Sequence, residues 1–204
     1  MAIACPLDLD IVKLRHEIGS IYSRVAEDPT GDFHFHRGPE YAVRLLAYSA
    51  EELALLPTET TASFAGVANP FAPGRPAAGE TVIDIGSGAG TDALLAGLAV
   101  GEKGHVIGVD PTEAMLAKAR NSATTMAARQ VEFRKGSAEA LPVKSGTADL
   151  VISNGVLNLA ADKAPAFREI LRVLAPGGRL HLADIVVASE LSEGIRKDID
   201  LWTG

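Results

Sequence analysis

The sequence predicts an α/β fold: a parallel sheet with helices on both faces, preceded by an N-terminal helical cap. Two observations carry this. From residue 80 onward, short runs dense in β-branched residues alternate with stretches of helical period, an order that specifies parallel strands joined by crossover helices. The first run, Thr81 to Ile85, also leads directly into the glycine-rich turn Gly86-Ser87-Gly88-Ala89-Gly90 and then into a helix near Thr91. In that strand–turn–helix order the helix start presents free N–H groups to a ligand. The division expected is a cap and connecting loop over 1–79 and a ligand-binding core over 80–204, packed as one compact unit.

Within the cap, Ile11, Leu14, Ile18, Ile21 or Tyr22, and Val25 follow the spacing of one amphipathic helix over residues 8 to 27. The turn cluster Asp28-Pro29-Thr30-Gly31 closes it. Pro39 suits a first helical turn and Pro57 a stop, which delimits short helices over Pro39 to Tyr48 and Ala50 to Leu56. Phe64 to Gly79, rich in Gly, Pro and Ala, is a connecting loop. The strands of the core are Thr81 to Ile85, His105 to Val109, Val131 to Phe133, Leu150 to Ile152 and Leu180 to Val187. Helices run over Thr91 to Val100, over Glu113 to Ala128 with Met115, Leu116, Ala119 and Met126 inward, and over Lys163 to Leu174 with Phe167, Ile170, Leu171 and Leu174 inward. Asp162 caps the last helix and Pro176-Gly177-Gly178 ends it.

Composition narrows the class. At 204 residues and 47% hydrophobic the chain can bury one sizeable core, yet no stretch approaches the roughly 20 consecutive apolar residues of a membrane span. The start, lacking a basic segment followed by an apolar run, shows no secretory signal. A lone cysteine, Cys5, excludes an internal disulfide and a cysteine-based metal cluster, and fits a cytoplasmic location. No metal is expected. The net charge of −7, from 26 acidic and 19 basic residues, argues against nucleic acid as a partner.

Two details of the glycine turn choose the nucleotide. A dinucleotide fingerprint would place its third glycine at position 91, where this chain has Thr91; the third glycine is Gly90, in a Gly-x-Gly-x-Gly pattern after Asp84. The second strand then ends at Asp110, a carboxylate placed to accept both ribose hydroxyls of an adenosine. Its alternative role is a helix cap shared with Thr112.

These residues resemble the class I S-adenosylmethionine-dependent methyltransferases. Asp84-Ile85-Gly86-Ser87-Gly88-Ala89-Gly90 resembles their first motif, Asp110 their ribose-binding acid, and Gly136-Ser137-Ala138-Glu139-Ala140-Leu141-Pro142 their adenine-binding segment. Asp149 to Asn154 is similar to their fourth strand and Leu174 to Leu180 to the turn into the fifth. The resemblance implies a Rossmann-like methyltransferase sheet and S-adenosylmethionine as cofactor. It further implies that Gly86, Ser87 and Gly88 wrap the methionine and ribose part, and that Pro111 and Met115 pack beside the adenine. Ser137 stands where relatives usually carry Asp, so the hydrogen bond it accepts lacks charge assistance; Ala138 and Glu139 are the other candidates there.

A narrower resemblance, carried by Gly31 to His36, Ser63 to Pro70 and Ser153 to Leu159, is to the arsenite methyltransferase branch. Members of that branch bind trivalent arsenic through thiolates, placed near Val67 and at about Gly155. Here both positions lack sulfur, so the acceptor expected is a small molecule other than arsenite. Methyl transfer from a sulfonium needs alignment more than a base. The polar candidates for the acceptor end are Tyr22, His34, His36, Asn154 and Asn158. Each has a plainer reading: Tyr22 as a half-buried helix residue, the histidines as polar members of a loop in which Phe33 and Phe35 pack, and the asparagines as turn formers. Trp202 reads as a packing or interface residue.

The alternative to an enzyme is an S-adenosylmethionine- or S-adenosylhomocysteine-binding module with weak or no catalysis; an NAD-dependent oxidoreductase is disfavoured by the glycine spacing. Methyltransferases of this class usually end in two further strands, which the sequence after Val187 does not supply. The fifth strand would then be an open edge, expected to be covered by the last helix or by a second copy in a homodimer.

Overall fold

The computed structural model describes residues 10–160 and 162–186. Five strands, β1 (Thr81–Ile85), β2 (His105–Asp110), β3 (Val131–Lys135), β4 (Ala148–Asn154) and β5 (Leu174–Ala183), form one sheet in the order β3-β2-β1-β4-β5, every neighbouring pair parallel. The chain starts at the centre, steps out to β3 and returns on the other side of β1. That reversal leaves a crevice beyond the carboxyl ends of β1 and β4, where open α/β sheets place ligands.

Successive side chains of the central strands feed opposite faces. Val82, Leu150 and Ile152 join one core with the helices α5 (Thr91–Val100) and α6 (Glu113–Thr125), while Ile83, Ile85 and Val151 join the other with α7 (Lys163–Val173). This double burial explains why the central strands read as nearly unbroken apolar runs. The cap consists of α1 (Ile11–Glu27), α2 (Gly38–Leu46), α3 (Ala50–Leu53) and α4 (Thr58–Ala62). Asp10 caps α1 through the N–H groups of Val12 and Lys13. The helix then lays Val25 and Ala26 against Ala89 and Met115, so the cap closes over the glycine turn.

Several sequence expectations need correction. The α4 turn was unforeseen because Thr58-Glu59-Thr60-Thr61-Ala62 has no apolar stripe; it is anchored instead by the buried Thr60 hydroxyl, which donates to Ser122 at 2.6 Å. Phe167 and Leu171 are not inward: they are 37% and 72% exposed, and α7 turns Ala166, Ile170 and Val173 to the sheet. Of the four residues expected inward, Ile170 is fully buried and Leu174, now the first residue of β5, packs half-buried against the same core. Asp162 does cap α7, accepting the Ala164 N–H at 3.0 Å. Pro176-Gly177-Gly178 does not end a helix but lies within β5, where pairing jumps from Ala148↔Leu174 to Leu150↔Arg179. A proline has no N–H for the ladder and survives at such an irregularity on an outer strand. The last strand starts earlier and ends earlier than the expected Leu180 to Val187: β5 spans Leu174–Ala183, and residues 184–186 have left the ladder. Val187, the covering of the β5 edge, Cys5 and Trp202 lie outside the described residues.

Candidate functional site

The crevice is a cleft of about 690 Å³. Its floor is Gly86–Ala89 of the glycine turn, and its sides are α1, the segment after Asp110, residues 136–139, residues 63–66 and Asn154–Val156; Gly90, expected at the cofactor, does not border the cleft, because it packs against Phe133 and Ala119 instead. Two positions of the turn exclude a side chain on both counts, φ and space: Gly90, at φ +93° with Phe133 Cζ 2.8 Å from where a Cβ would stand, and Gly86, which faces the cleft wall. Gly86 has φ +71°, and a Cβ there would overlap the γ-methyls of Val156, so a side chain meets both backbone strain and a steric wall. The turn is stitched to the end of β2: the N–H groups of Gly86 and Ser87 donate to the Val109 carbonyl at 2.7 and 3.1 Å. Gly88 N–H donates to Asp110 Oδ2 at 3.0 Å, and Thr112 N–H to Asp110 Oδ1 at 2.8 Å. Asp110 thus closes the turn ahead of α6 without capping it, since the cap residue Thr112 is itself the donor and no side chain caps the helix, and it also borders the cleft. Each carboxylate oxygen keeps a second lone pair for a ligand hydroxyl.

Three carboxylates, Asp84, Asp92 and Asp110, are buried around this floor. Burial, then the charges of Asp92 and Asp110, push Asp84 well above the usual carboxylate range. Burial likewise raises Asp110, against the N–H bonds it accepts. Asp84 Oδ2 and Ser87 Oγ are buried without a partner among the described residues. Buried polar atoms are seldom left so, and here both residues border the cleft. A ligand bearing cationic and hydroxyl groups fits this set.

Asn154 sits where β4 leaves the sheet and is fully engaged. Its Oδ1 accepts the N–H groups of Val67 and Ala68 at 2.8 and 3.2 Å, and its Nδ2 donates to the Ala68 carbonyl at 2.8 Å and to Asp92 Oδ2 at 3.0 Å. A Cβ on Gly66 would come within 2.7 Å of the Asn154 Cγ, so the carboxamide occupies the room that glycine leaves. Sequence reading placed Asn154 at the cleft but missed its partners Asp92 and Tyr48. Asp92 was findable as the one charge in the apolar helix Thr91 to Val100; nothing in the sequence marks Tyr48.

Of the remaining candidates, Pro111, Met115, Ser137, Ala138 and Glu139 all border the cleft. Glu139 pairs at 3.4 Å with Arg15 of α1 across its mouth. Tyr22 also borders it, stacked on Phe35 at 5.8 Å; burial and then Asp110 push its hydroxyl up to about 12, so it keeps its proton in the neutral range. His34 and His36 are not at the cleft. They are exposed, His34 set edge-on to Phe35 and His36 stacked on Tyr41, because the aromatic residues of Phe33 to Phe35 take the packing positions. Asn158 lies in the single 3₁₀ turn Leu157–Leu159, its N–H donating to the Asp184 carboxylate, and does not border the cleft. Replacing His34 and His36 together by alanine is expected to leave S-adenosylhomocysteine affinity within about twofold, as surface changes away from a site do; calorimetric titration checks it. Among the described residues no His, Cys, Asp and Glu cluster could hold a metal ion, and no helix is long and apolar enough to cross a membrane.

The comparisons with known proteins bear on this geometry. A family model described as a methyltransferase domain matches residues 76–203. The chain belongs to that family. This methyltransferase domain is 43% identical over 159 residues to an arsenite methyltransferase of Halobacterium salinarum, covering 78% of the chain and 40% of the relative. It is 39% identical over 127 residues to the ubiquinone/menaquinone biosynthesis C-methyltransferase of Escherichia coli, covering 61% of the chain and 49% of that protein. A solved structure, the arsenic (III) S-adenosylmethionine methyltransferase of Chlamydomonas reinhardtii, superimposes with a TM-score of 0.65 at 38% identity over 78% of the chain and 53% of its own. The methyltransferase domain described here therefore spans about half or less of the length of these relatives, and its methyl donor, by family, is S-adenosylmethionine.

Proposed function

We propose that the chain binds S-adenosylmethionine in this cleft and directs its methyl group to a small-molecule acceptor other than arsenite. When bound, S-adenosylmethionine supplies a methyl group on a positively charged sulfur, set for in-line displacement. Gly86, Ser87 and Gly88 would carry the methionine and ribose part. Asp110 would accept the ribose hydroxyls, and Pro111 and Met115 would flank the adenine, with Ser137 and Ala138 at its polar edge. The observation that carries the reading is the unpartnered buried Asp84 Oδ2, bordering the same cleft as the constrained Gly86 turn: a cationic ligand is what that atom lacks. Alignment and exclusion of water by the α1 cap supply the acceleration such a transfer needs, and Tyr22, held protonated, orients rather than deprotonates.

The acceptor reading follows from Val67 and Gly155, the positions at which the arsenite branch is expected to carry thiols. They adjoin, since a Cβ on Gly155 would lie 3.1 Å from Val67 Cγ1. Neither residue supplies the soft ligand a trivalent metalloid requires. Separate calorimetric titrations with S-adenosylmethionine, S-adenosylhomocysteine and NAD, followed by turnover against thiols, amines, hydroxylated aromatics and arsenite, test both parts. The first two ligands are expected to bind, NAD not to bind, and arsenite not to be methylated. Failure of the first two to bind would sink the cofactor assignment, and arsenite turnover above that of every organic acceptor would sink the acceptor assignment alone.

A further inference from the structure

We propose that Tyr48, which does not border the cleft, is a positioning residue for it: its hydroxyl holds Asp92 as the anchor of Asn154 and so fixes Val67 and Ala68, the backbone that continues directly from the wall formed by residues 63–66. The inference rests on the S-adenosylmethionine reading above. Tyr48 follows α2, and its hydroxyl donates to Asp92 Oδ1 at 2.7 Å while its ring meets Phe64 edge-on at 5.0 Å. The other oxygen of Asp92 accepts from Asn154 Nδ2 at 3.0 Å. Asn154 in turn grips that backbone at both N–H and carbonyl of Ala68 and at the N–H of Val67. The same hydroxyl also accepts from Asn154 Nδ2 at 3.1 Å and lies 3.2 Å from the Ala68 carbonyl, so Tyr48, Asp92 and Asn154, all three buried or half-buried, form one closed network in which the carboxylate is the acceptor shared by the other two.

The arrangement requires Asp92 to be ionised. As a carboxylate it accepts from both Tyr48 and Asn154; protonated, it becomes a third donor among groups already short of acceptors, and Asn154 is released from its anchor. The polar groups facing Asp92 are Tyr48 from the turn after α2, Asn154 from β4 and Asp84 from β1, with Asp110 of β2 beyond Asp84. Among the described residues no lysine, arginine or histidine bonds to Asp84 or Asp92. Burial raises Asp92 to about 6, against the hydrogen bonds from Asn154 and Tyr48, which lower it.

The test is the pH dependence of S-adenosylhomocysteine binding, measured by calorimetry from pH 5 to 8 on the wild-type chain and on Tyr48→Phe. Wild-type affinity is expected to weaken as pH falls through about 6. Loss of the Tyr48 donor removes a bond to the charged form and moves that midpoint upward by about one pH unit. A merely structural role would instead lower affinity by the same factor at every pH. Should Tyr48→Phe fail to fold, chain produced with 3-fluorotyrosine keeps the hydroxyl as a stronger donor and is expected to move the midpoint downward. Of the three tyrosines, Tyr48 is the one that bonds to Asp92. Midpoints that stay at the wild-type value in these proteins overturn the proposal. Wild-type chain that binds no S-adenosylhomocysteine at any pH overturns the cofactor reading itself, and the proposal with it.

Discussion

Gly86→Ala is expected to weaken S-adenosylhomocysteine binding by about a hundredfold, close to 3 kcal/mol. The cost has two sources that can be separated. The backbone at Gly86 has φ +71°, a region that costs a residue with a Cβ about 1–2 kcal/mol. The new methyl would also overlap both γ-methyls of Val156, a β-branched side chain with little freedom to turn aside. Val156 stands between Asn154 with its wall and Leu157, which is fully buried. Relief of the clash therefore displaces one side of the cleft relative to its floor. Gly79→Ala provides the control for strain alone: its φ is +86°, and an added Cβ there has nothing within 4 Å. It should lower the unfolding midpoint slightly and leave binding intact. Adding Val156→Ala to Gly86→Ala removes the two γ-methyls but leaves a Cβ 3.0 Å away and the strain, and should restore about half of the lost binding energy. Equal loss of binding in the two glycine variants would show that the overlap with Val156 plays no part.

What the sequence made legible and what it hid divide along physical lines. The strands were readable because β1 and β4 are buried on both faces, so nearly every residue from Val82 to Ile85 and from Leu150 to Ser153 carries the signal. The cofactor side of the cleft was readable for a related reason. A glycine turn between strand and helix, and an acid at the end of the next strand, are local patterns whose function depends on residues near in sequence. The opposite side depends on Tyr48, Asp92 and Asn154, joined across 44, 62 and 106 positions. No local spacing encodes such a network. The histidines misled for the converse reason: in Phe33-His34-Phe35-His36 the alternation was plain, but alternation tells which residues share a face and not which face meets a ligand. On α7 the stripe of Phe167 and Leu171 has the same period as that of Ala166, Ile170 and Val173, and volume favoured the wrong one. The smaller residues Ala166 and Val173, with Ile170, are the ones that join the core shared with Ile83, Ile85 and Val151.

Asp84→Asn is expected to make the ligand-free protein more stable above neutral pH while costing most of its affinity for S-adenosylmethionine. Asp84 is 2% exposed; it accepts the Ala93 N–H, and its Oδ2 has no partner among the described residues. Because its folded-state pKa is raised well above that of a free aspartate, the folded chain holds a proton that the unfolded chain releases. Stability contributed in this way is fully present below the unfolded pKa and is lost as pH rises through the folded one. Asparagine keeps the shape, still accepts from Ala93 and offers its Nδ2 toward the neighbouring acids. It thus removes an uncompensated buried charge, a change worth about 1–2 kcal/mol, or roughly 2–8 °C in a chain of this size. The gain should be larger at pH 8 than at pH 5, because the raised pKa makes the wild-type carboxyl costlier the further pH rises. Binding should change in the opposite sense, since S-adenosylmethionine brings cationic groups and the variant no longer offers the counter-charge; affinity should fall by more than about tenfold, the loss expected when one partner of a buried charge pair is removed. Thermal unfolding at pH 5 and pH 8, with and without ligand, reads both effects in one set of scans. A variant less stable than wild type at pH 8, yet equally protected by the ligand, would assign Asp84 to the support of β1 and α5 and leave the cationic group to be met elsewhere. A variant that is stabilised and unprotected would mean that β1 carries, in its most buried acid, instability kept for the ligand.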